Sequence, residues 1–174
     1  MITVLLVDDH HLFREGIARI LQDAPGMSLL ASAENGVTAI TLAKQHQPDV
    51  ILMDVHMPEV DGIEATRQIL QNDPDTQILM LTVSEKDEDL FAALRCGARG
   101  YLLKDTTSQE LIESIRRVHA GEAIINPLMA AKLLDEFSAL SQDMPVRASA
   151  QSPDMETEKL TSRERDVLQL VARG

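Results

Sequence analysis

VILMDVHMPEVD, residues 50–61, sets four apolar side chains, Val50 to Met53, directly against one carboxylate, Asp54, and then turns through Pro58. An unbroken apolar run entered through Pro48-Asp49 suits a strand buried on both faces. A carboxylate that ends such a strand lies at the carboxyl edge of a parallel sheet, where open α/β folds place their chemistry. Aspartate also starts turns by bonding to the backbone two residues on. Asp54 alone is therefore an ambiguous signal.

A second strand resolves it. Thr3 to Val7 (TVLLV) is apolar and β-rich and ends in Asp8-Asp9. Two strands that deliver three carboxylates to one edge make a site for a hard divalent cation, because magnesium takes oxygen ligands and keeps several waters. Three uncompensated carboxylates would repel one another. Asp9 can in addition cap the helix that begins before Leu12-Phe13.

Outward from these two strands the chain alternates. A helix with Leu12, Ile17, Ile20 and Leu21 inward ends at Pro25-Gly26, and Met27 to Ala33 forms a strand. Asn35-Gly36 reads as a turn before a helix carrying Val37, Ile40, Leu42 and Ala43. After Asp54's loop comes a helix with Ile63, Thr66, Ile69 and Leu70, then a buried strand from Gln77 to Val83. Ser84 is placed to cap a helix with Leu90, Phe91 and Leu94 inward, closed by Gly97, and Gly100 to Lys104 is the fifth strand. Thr107 and Glu110 have capping-box spacing ahead of Leu111, Ile112, Ile115 and Val118. Strands that alternate with helices over about 120 residues predict an α/β, doubly wound, five-stranded parallel sheet for residues 1–121. Right-handed crossovers then bring Asp8, Asp9, Asp54, Thr82 and Lys104 to one edge.

Residues 122–158 read as a linker, with a helix over about 126–140 and then a polar, proline-containing flexible segment. Residues 159–174 begin another ordered element, with Thr161 and Glu164 at capping-box spacing and Val167, Leu168, Leu170 and Val171 at helical spacing. One such helix cannot bury its face alone, so it is expected to be a fragment of an all-α domain.

Composition narrows the function. The net charge is −12, and up to Gly121 ten Lys and Arg face nineteen Asp and Glu, a surface that repels phosphate backbones. No run approaches the roughly 18 apolar residues of a membrane span, and the N-terminus has no signal-peptide pattern, which predicts a cytoplasmic protein without membrane contact. The lone Cys96 fits a reducing compartment and reads as a small buried residue at a helix end.

Transfer of a phosphoryl group to a carboxylate needs positioning and charge neutralisation more than it needs a base. Mg2+ held by Asp9 and Asp54, with Asp8 acting directly or through water, would neutralise one side, and the Lys104 ammonium and the Thr82 hydroxyl can reach other phosphoryl oxygens. Asp54 is then the nucleophile and forms an acyl phosphate. Singly, Lys104 could be a solvated strand-end lysine and Thr82 an ordinary β-former.

With the acidic pair Asp8-Asp9, Asp54, Thr82, Tyr101 and Lys104 in place, residues 2–121 resemble the receiver domains of two-component response regulators, whose fold is flavodoxin-like. DDHHLFREG, GYLLKD and LTSRERDVL further resemble the NarL/FixJ group, whose output is a LuxR-type helix-turn-helix domain. The resemblance implies that a sensor histidine kinase is the phosphoryl donor, that the backbone carbonyl of His56 is a further magnesium ligand, and that Thr82 and Tyr101 move inward as the switch. It implies control of promoter DNA by the full-length protein, with no DNA-binding residue in residues 159–174 because the recognition helix is absent, and it admits a homodimer formed on phosphorylation. Asp105 follows Lys104 where many receivers carry proline after a cis bond, which costs about 2.5–4 kcal/mol for a non-proline residue. From the residues themselves, Tyr101 reads equally as a half-buried strand tyrosine. An aspartyl-phosphate hydrolase would carry an acid where His56 stands, and a flavodoxin-like nucleotide binder would carry a glycine-rich loop where Asp8-Asp9-His10 stands.

Overall fold

A computed structural model describes residues 1–83, 86–125 and 130–134. Its elements alternate as β1 (Ile2–Val7), α1 (His11–Asp23), β2 (Met27–Ala33), α2 (Gly36–His46), β3 (Val50–Met53), α3 (Gly62–Asn72), β4 (Gln77–Thr82), α4 (Asp87–Cys96), β5 (Gly100–Leu103) and α5 (Ser108–His119). All five strands are parallel, in the order β2-β1-β3-β4-β5. The expected doubly wound sheet is therefore present.

Alternation along each strand splits the core into two layers, because successive side chains point to opposite faces. Leu5, Val7, Ile51, Met53, Ile78 and Met80 pack against α2, α3 and α4, while Val4, Leu6, Val50, Leu52, Leu79 and Leu81 pack against α1 and α5. Ala39, Ala43, Ala65 and Ala93 are buried where the helices lie on the first face, and Val37 is exposed. Phe91 and Leu94, expected inward, are only half-buried. Small side chains let a helix axis approach the sheet, so the larger neighbours are displaced to the flanks.

Local signals set the helix starts. Asn35 does not make a free-standing turn: its side chain accepts from the Thr38 N–H at 2.8 Å and caps α2. Asp61 caps α3 by accepting from the Glu64 N–H, and Thr107 with Glu110 closes the expected capping box of α5. Helix α4 begins at Asp87 with Lys86 at its N-cap and no side-chain cap, and Ser84 lies outside the described residues.

Beyond Gly121, Ile124 bridges to Gly100 in parallel fashion, accepts from the Tyr101 N–H at 2.9 Å and is buried in the core. The packed unit therefore runs past residue 121, into the stretch expected to be linker. Ala130 to Leu134 is helical. The rest of the expected 126–140 helix, the 141–158 segment and residues 159–174 lie outside the described residues.

At the amino edge of the sheet, Thr3 ties β1 to the loop before β3. Its Oγ1 and N–H donate to Asp49 Oδ2 at 2.6 and 2.8 Å, and the Asp49 N–H donates back to Oγ1 at 3.0 Å. These bonds hold the Asp49 carboxyl below its ordinary value of 3.8. A depressed carboxyl stabilises the fold above the unfolded value, and that contribution is lost as pH falls through the folded one. Thr3→Val is expected to cost about 1 kcal/mol at neutral pH. In urea denaturation its deficit should shrink as pH falls below 3.8, and a deficit independent of pH would contradict the assignment.

Candidate acidic site at the carboxyl edge

β1 and β3 are neighbours with Val7 opposite Met53, and the Asp54 N–H donates to the Val7 carbonyl at 2.9 Å. Asp8 and Asp54 therefore leave the sheet side by side, only 1% and 3% exposed. Thr82 pairs with Leu103, and the Lys104 N–H donates to the Thr82 carbonyl at 2.8 Å, which seats Lys104 one strand beyond Thr82. The lysine stem reaches back across β4. Its Nζ lies 2.7 Å from Asp8 Oδ2 and 2.7 Å from Asp54 Oδ2, with the Phe13 ring centroid 4.8 Å away.

The electrostatics follow from this geometry. Burial pushes the Asp54 carboxyl up from its ordinary value, and the hydrogen bond and charge of Lys104 only partly restore it; the charges of Asp8 and Asp9 push the same way as burial. Burial alone would lower Lys104, but its hydrogen bonds to Asp54 and Asp8 leave it raised. One ammonium is thus shared between two buried carboxylates.

Asp9 points outward, its side chain about a third exposed, and it does not cap α1: His10 holds the N-cap position, and its N–H donates to Asp8 Oδ1 at 2.9 Å. Ligand atoms of Asp8, Asp9, His10 and Asp54 all lie within 4.8 Å of one another, close enough for one metal ion. The His56 imidazole turns to α4 instead, with Nε2 2.9 Å from Asp89 Oδ2. Tyr101 is fully buried on the α4 side of the core, not half-buried, and Thr82 is equally enclosed. No cis peptide occurs among the described residues, so Lys104–Asp105 is trans.

Leu12, expected to face the core, is 83% exposed at the start of α1. Its neighbour Phe13 takes the inward place beside Lys104.

Two supporting residues carry no motif. The Arg14 guanidinium donates to the Asp8 carbonyl at 2.5 Å and lies 3.9 Å from Glu34, so it anchors the peptide that leads into Asp9. Gly62 presses on the main chain of Asp54, and its N–H donates to the Val55 carbonyl at 2.9 Å. Helical phase could have placed Arg14 near the site, since it follows His10 by one turn and its N–H donates to the His10 carbonyl at 3.0 Å.

Residues 4–116 match the sequence profile of the response regulator receiver domain. The chain is 39% identical over 178 residues to the transcriptional regulatory protein DegU of Brevibacillus brevis, covering 99% of this chain and 75% of that one. It is 34% identical over 176 residues to the nitrate/nitrite response regulator protein NarL of Escherichia coli (strain K12), covering 99% and 76%. Among solved structures, a LuxR-family two-component response regulator from Aurantimonas sp. SI85-9A1 superposes with a TM-score of 0.73 at 34% identity, covering 78% of this chain and 97% of that one. The receiver domain of the putative response regulator NarL from Mycobacterium tuberculosis gives 0.67 at 33% identity, covering 70% and 98%. Fold, family profile and relatives agree, and the chain belongs to the response regulator receiver family, a family of signalling switches, within its NarL- and LuxR-type group.

Proposed function

We propose that Asp54 accepts a phosphoryl group from the phosphohistidine of a sensor histidine kinase, and that the acceptance is the switch of a transcriptional regulator. A carboxylate oxygen of Asp54 attacks phosphorus, the phosphorus–nitrogen bond breaks as the carboxylate–phosphorus bond forms, and the departing imidazole keeps the bonding pair. The observation that carries this reading is the buried Asp54 carboxylate held 2.7 Å from Lys104, with Asp8 on the same ammonium. Burial makes Asp54 a stronger base than a solvated aspartate, which favours attack by its ionised form. Lys104 is poised to follow the incoming charge from carboxylate to phosphoryl oxygen, and Thr82, at the end of the adjacent strand, is the second group assigned to it.

The donor set fits magnesium: carboxylate oxygens of Asp8, Asp9 and Asp54 converge within 4.8 Å. Bound there, with the backbone carbonyl of His56 as a further ligand, the ion supplies positive charge against the phosphoryl oxygens. Thr82 and Tyr101 are assigned to the switch. Tyr101 is already inside the core in this structure, so phosphorylation is read as holding the ring in rather than drawing it in. Residues 159–174 are assigned to the start of a helix-turn-helix output domain that would carry promoter recognition in the full-length protein, with a homodimer as the phosphorylated form.

Acetyl phosphate with Mg2+ should add one phosphoryl group to the intact protein, and Asp54→Asn should abolish the gain. An unchanged mass, or equal labelling of the variant, would refute the reading, and turnover of small phosphate esters would favour a hydrolase instead.

A further inference from the structure

We propose that residues 122–125 form a strap on the outer edge of β5 that carries the state of Tyr101 into the chain beyond it, held while the tyrosine ring is enclosed and loosened when it is not. The proposal deepens the assignment of Tyr101 to the switch and rests on it.

The strap is built by local geometry. β5 is the last strand of the sheet, so one row of its peptide groups has no strand beside it. Gly121, at φ +87°, turns the chain back onto that edge after α5, in the left-handed conformation that favours glycine. The turn is clipped: the Glu122 carboxylate accepts from the Arg117 guanidinium at 2.8 Å, and the Glu122 N–H donates to the Arg117 carbonyl at 3.0 Å. Two residues on, the Ile124 N–H donates to the Arg99 carbonyl and the Tyr101 N–H donates to the Ile124 carbonyl, each at 2.9 Å. Together they make a parallel bridge between Ile124 and Gly100. Gly100 permits the approach, since a methyl there would lie 3.1 Å from both the Cβ and the carbonyl oxygen of Ile124.

One of the two bonds falls on the residue assigned to the switch. Tyr101 is fully enclosed, so lifting Ile124 away would leave its N–H a buried donor without an acceptor. The strap also straddles the sheet edge. Ile124 fills the layer under α5, whereas Ile125 packs against the layer that contains Tyr101. A ring that left the core would unload that layer and open the Tyr101 peptide to water. The backbone bonds and the packing of Ile125 therefore weaken together. The residues that follow the strap in sequence lead to the 159–174 segment, so its hold on β5 sets how firmly the chain is gripped at its exit.

The test is amide hydrogen exchange, read residue by residue by NMR on the intact chain before and after acetyl phosphate with Mg2+. Once Asp54 carries the phosphoryl group, the Ile124 and Tyr101 amides should slow together by about tenfold. The Ile2 amide, bonded to the Gly26 carbonyl at 2.8 Å on the β1–β2 side of the sheet, should change by less than about twofold. Gly100→Ala should speed exchange at Ile124 and Tyr101 about tenfold in the unphosphorylated chain and leave the mass gain at Asp54 intact. A phosphoryl gain with the Ile124 amide unmoved, or wild-type exchange in Gly100→Ala, would overturn the strap and leave the acceptor standing. No phosphoryl gain on the wild type would overturn both.

Discussion

Gly62→Ala is expected to lower stability by about 3 kcal/mol, on the order of 10 °C in Tm, and to cut phosphoryl uptake at Asp54. A methyl group at this first residue of α3 would overlap the Asp54 carbonyl oxygen and come within 2.9 Å of the Asp54 carbonyl carbon and 3.0 Å of Met53 Cγ. Two of those three atoms are backbone, which cannot rotate away as a side-chain end could. The strand end carrying Asp54 or the helix start must move. Gly16 is the control, because a methyl there meets nothing within 4 Å. Gly16→Ala in the exposed turn of α1 should be neutral or add about 0.5–1 kcal/mol through helix propensity. Thermal melts of the pair decide the matter, and similar Tm values for both variants would mean that the approach of α3 to β3 is looser than described.

Lys104→Met should be the most damaging change in the site itself. It keeps an apolar stem beside Phe13 but leaves Asp8 and Asp54, both buried, as neighbouring like charges. Removing one partner of a buried ion pair costs about 3–5 kcal/mol, and water at the mouth reduces this to about 2 kcal/mol. Mg2+ should raise the Tm of the variant more than that of the wild type, because the cation replaces the missing charge. The pH dependence has a defined sign. Since the folded Lys104 is raised above its ordinary 10.5, its contribution is complete below that value and is lost as pH rises through the folded one. The wild type should therefore lose stability in that alkaline window where Lys104→Met does not, and parallel alkaline limbs would contradict the shared ammonium.

The strand of the proposed acceptor, the acid pair and the lysine were legible in the sequence because each sits where an apolar run stops, and a parallel sheet turns that one-dimensional fact into proximity. VILM before Asp54 and TVLLV before Asp8 gave strands whose carboxyl ends adjoin, as the pairing of Val7 with Met53 shows. Helix faces were less legible. Apolar spacing favours large residues, yet Ala39, Ala65 and Ala93 are fully buried, while Leu12 and Val37 stay in solvent. The side chain of Arg14 and the bare backbone of Gly62 act through main-chain atoms of Asp8 and Asp54, and no side-chain motif announces such contacts. The pairing of Ile124 with β5 has no sequence signal for a related reason: one bridge is too short to leave a strand-length pattern.

One carboxylate, Asp54, is expected to become the acyl phosphate. After labelling with acetyl phosphate and Mg2+, borohydride reduction followed by peptide sequencing by mass spectrometry marks whichever aspartate carried the phosphoryl group. Homoserine is expected at position 54 and nowhere else, dependent on the divalent cation. Reduction at position 8 or 9, or a phosphoryl group stable to the reductant on a hydroxyl or an imidazole, would contradict it.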